Sequence, residues 1–84
     1  MYILYLIQSK KDSSFYIGIT NNLQRRIKEH NNGLSLSTKN KRPWALVYCE
    51  IYRSKKDVIK RERMLKKHKG GWLKLKERIK NSVF

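Results

Sequence analysis

Apolar positions along this chain fall into short runs and helical stripes, separated by polar turns. Tyr2-Ile-Leu-Tyr-Leu-Ile7 is a continuous apolar run rich in aromatic and β-branched residues, and it reads as a buried strand. Lys10-Lys-Asp-Ser-Ser14 is a polar turn and Phe15-Tyr-Ile-Gly-Ile19 a second short strand, so the first 19 residues predict a β-hairpin. Leu23 and Ile27 recur at helical spacing within a helix from about Asn21 to Asn31, with Thr20 as N-cap and Asn31-Asn32-Gly33 as the stop. Residues 33–43 are a Ser, Thr, Lys and Asn loop closed by Pro43, longer than a usual connection, which favours binding or mobility.

Trp44-Ala-Leu-Val-Tyr-Cys-Glu-Ile-Tyr52 is the clearest strand. Ser54 with Asp57 forms a capping-box-like start for a helix to about His68, which Gly70-Gly71 should break. Trp72, Leu75 and Ile79 then predict a third, short amphipathic helix. The order is β-β-α-β-α-α. It predicts an α+β domain in which a three-stranded antiparallel sheet is flanked by three helices.

One residue in the second helix breaks the pattern. Val58, Glu62 and Leu65 lie at i, i+4 and i+7, the stripe that should face the protein body. A lone carboxylate on that stripe, in the basic run Lys60 to Lys67, has the character of a metal ligand. The plain alternative is an ion pair with Arg61, Arg63 or Lys66.

Composition adds a partner. With 84 residues, residues 1–84 form one domain with no room for a second core. The chain carries 21 Lys and Arg against six acidic residues, a net charge of +15 spread over almost every segment. Such a surface draws polyanions, nucleic acid first. Ribosomal, chromatin and membrane-binding proteins share that charge. Cys49, the only cysteine, excludes an intrachain disulfide, and one Cys with two His cannot build a zinc site. It is expected to be a small buried residue of the third strand. No segment reaches the roughly 18 apolar residues of a membrane span. The start lacks the basic flank and the length of a signal-peptide core. A reducing, intracellular location is therefore expected, cytoplasmic or on the nucleoid.

The candidate chemistry lies in Tyr5, Tyr16-Ile17-Gly18, Arg26 and His30 (four apart on one helix face) and Glu62. Each has an ordinary reading alone: core tyrosines, a solvated arginine, a histidine at a helix C-terminus, a bend at Gly18. Together, in this order, they resemble the GIY-YIG nuclease family over nearly the whole chain. The likeness is to its short stand-alone members, related to the amino-terminal domain of excinuclease C. Tyr16-Ile17-Gly18 matches the second signature tripeptide. Ile3-Leu4-Tyr5 keeps the tyrosine of the first but not its glycine. Arg42-Pro43 and Leu46-Val47-Tyr48 resemble the entry to the third strand, whereas Leu36-Ser37-Thr38 shares only Thr38 with the usual Lys-Tyr-Thr. Asn81 lies too near the end to match the late asparagine of some members.

The resemblance implies a small metal-dependent endonuclease acting on DNA, structure-selective or weakly specific, in DNA repair or processing. It implies Mg²⁺ or Mn²⁺ on Glu62, Arg26 on phosphate oxygens, and Tyr5 or Tyr16 activating water. His30 competes as base on its ordinary pKa of about 6.5. Lys39, Lys41, Arg42, Lys66, Lys67 and Lys69 are expected to hold the nucleic-acid backbone. Gly18, which admits close approach, and Thr38 are counted on the same surface. Trp44 either stacks on a base or packs at the sheet edge. The rival expectations are a catalytically weak or inactive nucleic-acid-binding module on the same fold, and a basic component of a ribonucleoprotein or partner complex. RNA and a targeting protein partner stay open, as does the oligomeric state.

Overall fold

A computed structural model describes residues 1–84. It contains β1 (Tyr2–Ser9), β2 (Phe15–Thr20), α1 (Leu23–Asn31), β3 (Trp44–Tyr52), α2 (Lys55–Lys67) and α3 (Lys69–Arg78), with a short 3-10 turn at Lys39–Lys41. The chain is an α+β domain in the predicted order. β1 is the middle strand of an antiparallel sheet, with β2 on one side and β3 on the other. Its central place explains its continuous apolar run, because both of its faces are covered. Leu4 and Leu6 pack on one face against Val58, Leu65, Leu75 and Ile79 from α2 and the α3 region. Tyr5 and Ile7 point the other way, to Trp44 and to Leu23 and Ile27 of α1. Each such buried side chain contributes about 1.5–3 kcal/mol relative to leaving it in water.

The structure departs from the sequence reading at several ends. β1 runs past Ile7 through Gln8 and Ser9, both buried and both satisfied. The Gln8 amide exchanges hydrogen bonds with the Phe84 backbone (2.8 and 3.0 Å), and Ser9 Oγ donates to the Lys41 carbonyl at 2.6 Å. Thr20 is not the helix cap. It stays in the ladder opposite Ile3, so the chain turns first, and Asn22 Oδ1 accepts from the Arg25 N–H at 3.1 Å. At the other end Gly33, with φ +77, closes α1. Its N–H donates to the His30 carbonyl and that of Leu34 to the Glu29 carbonyl.

Ser54 caps α2 through the Asp57 N–H as expected, but Gly70-Gly71 do not end it. The break falls at His68, whose extended backbone (φ −111, ψ 102) serves as C-cap of α2 and N-cap of α3. The two glycines lie in the first turn of α3. There their weak helix propensity costs about 1 kcal/mol each and is offset by the packing of Leu75 and Ile79. Cys49 is exposed, contrary to expectation. The register sets it opposite Tyr5 on the face that α1 covers, but the covered cluster of Tyr5, Ile7 and Trp44 does not extend to it.

One polar cluster ties β3 to α2 without any sequence signal. Glu50 accepts from the Tyr48 hydroxyl at 2.5 Å, the Tyr52 hydroxyl at 2.7 Å, and Arg61 through Nε and Nη2, each at 3.0 Å. Burial pushes the Glu50 carboxyl up, but the Arg61, Tyr48 and Tyr52 hydrogen bonds outweigh it and hold the group below its ordinary range. Burial and the Glu50 hydrogen bond together push Tyr52 up to about 12. A depressed carboxyl stabilises the fold above its unfolded value of about 4.3, and the contribution is lost as pH falls through the folded value. Glu50→Gln is therefore expected to cost about 1–2 kcal/mol at pH 7 and to flatten the acid side of the stability profile. Thermal unfolding at pH 7 and pH 3 checks this; equal acid sensitivity in both proteins would contradict it.

Candidate active site

The hairpin register brings the two phenols together. Tyr5 pairs with Gly18 and Ile7 with Tyr16, so Tyr5 and Tyr16 emerge on one face with ring centroids 6.4 Å apart. Gly18 is required here, because a Cβ would collide with the Tyr5 phenol. The space it leaves is filled by the protein's own ring. Gly18 is buried and so does not offer the predicted nucleic-acid contact.

Arg26 and His30, one turn apart on α1, both reach the Tyr5 oxygen. Arg26 Nε donates to it at 3.3 Å, and His30 Nε2 lies 2.8 Å away. The other ring nitrogen of His30, Nδ1, is 2.8 Å from Thr38 Oγ1. Tyr5 oxygen accepts from Arg26, which leaves its own proton for His30 Nε2. The imidazole then carries its hydrogen on Nδ1 and donates to Thr38, an assignment made from the network. The result is a line of hydrogen bonds from Arg26 through Tyr5 and His30 to Thr38.

Beyond Arg26 that line is sealed. Tyr5 is 1% exposed, and His30 and Thr38 are 0%. Thr38 therefore cannot touch nucleic acid as predicted; it orients His30 instead. The long loop is pinned to bring it there. Trp44 Nε1 donates to the Thr38 carbonyl at 2.8 Å, and the Asn31 amide clamps the Trp44 backbone at 2.7 and 3.1 Å. Trp44 is buried beside Tyr5 and Ile7, so its ring is not offered to a base.

Burial pushes the Tyr5 phenol above its ordinary range, against the Arg26 hydrogen bond and charge that pull it down. Tyr16 and Glu62 add to the upward push. Burial, then the Arg26 charge, holds His30 below its ordinary range, against the pull of Glu29. At neutral pH the pair is a neutral phenol donating to a neutral imidazole.

Tyr16 and Arg26 are the members that reach solvent. Tyr16 is half-buried, its ring 5.1 Å from that of His30. Arg26 has a side chain 30% exposed, with Nη1 on Glu29 at 3.1 Å and no protein partner for Nη2. Glu62 lies on α2 between the buried Val58 and Leu65, its side chain 26% exposed and paired with Lys66 at 3.3 Å. Lys66 also lies 6.0 Å from the centre of the Tyr16 ring, and thus links the acid to that phenol. No group of three or more His, Cys, Asp or Glu side chains gathers anywhere in the chain. A divalent cation here would have at most two such protein ligands. Mg²⁺ accepts that arrangement when waters and phosphate oxygens supply the rest.

The expected backbone contacts Lys39, Lys41, Arg42, Lys66, Lys67 and Lys69 are all exposed. Three have local partners: Lys66 pairs with Glu62, Lys41 pairs with Asp12 at 3.6 Å, and Arg42 Nε donates to the Lys39 carbonyl at 2.7 Å. No helix is long and apolar enough to cross a membrane.

Residues 1–77 match the family model described as the GIY-YIG catalytic domain. The chain belongs to the GIY-YIG family. It is 43% identical over 68 residues to a UPF0213 protein of Clostridium perfringens, covering 80% of this chain and 72% of that one. It is 31% identical to the UPF0213 protein YazA of Bacillus subtilis, over 99% of this chain and 88% of YazA. Among solved structures it is similar to the solution NMR structure of a UPF0213 protein from Bacillus halodurans. The TM-score is 0.51 and the identity 31%, covering 87% of this chain and 82% of that one. The UPF0213 names state no activity.

Proposed function

We propose that this GIY-YIG domain is a nucleic-acid-binding module, with DNA as its main partner, that retains weak metal-dependent endonuclease activity. The binding half is supported by the net charge of +15 and the exposed lysines and arginines of the 39–42 loop and the α2–α3 junction. The hydrolytic half is carried by one observation, the line of hydrogen bonds from Arg26 through Tyr5 and His30 to Thr38. Its weakness follows from the resting state, where the Tyr5 phenol is nearly closed to water.

In this reading Arg26 Nη2 takes a non-bridging phosphate oxygen, and its movement uncovers the Tyr5 oxygen. Tyr5 accepts the proton of the attacking water while its own proton passes to His30 Nε2. Thr38 holds Nδ1–H, which keeps Nε2 the acceptor. Tyr16, at the mouth, positions water or phosphate. Glu62 would hold the Mg²⁺ or Mn²⁺, which supplies charge neutralisation at the phosphate and the leaving oxygen.

Two measurements test the halves separately. Anisotropy titration of labelled DNA in chelator should show affinity falling steeply with salt; a flat response would remove the binding half. Nicking of supercoiled plasmid should be slow and should require Mg²⁺ or Mn²⁺. Absence of nicking across several DNA structures with both metals would leave a binding module alone.

A further inference from the structure

We infer that a groove along the free edge of β2 receives one unpaired nucleobase, stacked on the Trp72 face with its edge toward Phe15. The inference rests on the nucleic-acid reading above and adds a subsite to it. The groove is a cavity of about 400 Å³ lined by Phe15, Tyr16, Ile17, Leu65, Lys66 and Trp72. That volume is in the range of small-ligand sites. Its lining is apolar and aromatic except for Lys66. Phe15 and Trp72 meet edge to face, with centroids 5.2 Å apart and planes at 73°, so they do not stack on each other.

The rim identifies the occupant. Lys76 Nζ stands 5.6 Å from the centre of the Phe15 ring and 5.9 Å from that of Trp72, and Lys66 Nζ 6.0 Å from that of Tyr16. An aromatic floor between two ammonium groups complements a flat ring carried between two phosphates. The groove also shares Tyr16 and Lys66 with the candidate active site, so the two adjoin. Base faces are available only in single strands, bulges or flipped nucleotides, and stacking on aromatic side chains is largely indifferent to sequence.

The test is equilibrium binding in chelator, where no cutting occurs. The probes are a labelled oligo-dT strand, an abasic strand of equal length and charge, a hairpin with a one-base bulge, and a fully paired hairpin. The base-bearing strand should bind about tenfold more tightly than the abasic one. The bulged hairpin should bind more tightly than the paired one if bulges are the source, and equally if only free strands are. Trp72→Leu should lose the preference for bases and Trp72→Phe should keep most of it. Because Trp72→Leu also removes packing, photocrosslinking of a bromouracil-substituted strand to the unmutated protein provides a second readout, expected at Trp72, Phe15 or Tyr16. Equal affinity for base-bearing and abasic strands, or crosslinks only outside the groove, would overturn the inference while leaving backbone binding intact. Failure of every probe to bind would instead remove the nucleic-acid reading itself.

Discussion

Glu62→Gln is expected to reduce metal-dependent plasmid nicking by on the order of a thousandfold or to background, and to leave DNA affinity nearly unchanged. Glutamine keeps the shape of the side chain and removes its charge, and no cluster of three or more His, Cys, Asp or Glu side chains exists to take over the cation. The fold should not suffer. The Glu62–Lys66 pair is one surface i, i+4 contact, worth about 0.3–0.5 kcal/mol. Binding should not weaken, because the change makes a chain of net charge +15 more positive. The same pair gives a second expected result. Lys66→Gln frees the carboxylate, so half-maximal nicking should need less Mg²⁺ even as phosphate affinity drops. Nicking that survives Glu62→Gln would mean the cation is held elsewhere, and a Lys66→Gln protein with unchanged metal demand would mean the ion pair does not oppose it.

How far the residues foretold this arrangement depends on the kind of contact. Periodic apolar positions were enough for the strand order and for the Val58 and Leu65 face of α2, because burial follows from them directly. The family pattern named Tyr5, Tyr16, Arg26, His30 and Glu62, and the hairpin and α1 unite the first four. What escaped were contacts set by long-range geometry. Thr38 looked like a loop residue near basic side chains, and only the clamp of Asn31 on Trp44 turns it toward His30. Gly18 looked like an opening for substrate, and the register gives that opening to Tyr5. Glu50 is an unremarkable strand residue until Tyr48, Tyr52 and Arg61 converge on it. The Glu62–Lys66 pair had a visible spacing, but spacing alone does not choose between a free metal ligand and a neutralised one.

Tyr5→Phe is expected to slow nicking by about 10²–10⁴-fold, since it removes the only atom on which both Arg26 and His30 converge. It also leaves His30 Nε2 buried without a partner, a cost of about 1–3 kcal/mol that thermal unfolding would register. Thr38→Val should separate proton handling from packing. It keeps the side-chain shape but takes the acceptor from Nδ1–H, so the imidazole can reverse its tautomer and turn Nε2 into a donor. Nicking should then fall while DNA affinity holds, which a merely structural Thr38 would not produce. The pH dependence follows from the same two groups. His30 must be neutral to accept the Tyr5 proton, and burial with the Arg26 charge holds it neutral below its ordinary value of about 6.5. Activity should therefore persist below pH 6.5 and fall only as His30 finally protonates. Stability should decline over the same interval, because the unfolded chain binds that proton first. The raised Tyr5 phenol should give no gain in rate on the alkaline side below pH 10. A profile that loses activity already above pH 7, or climbs steadily to pH 10, would show that His30 is not the group receiving the proton.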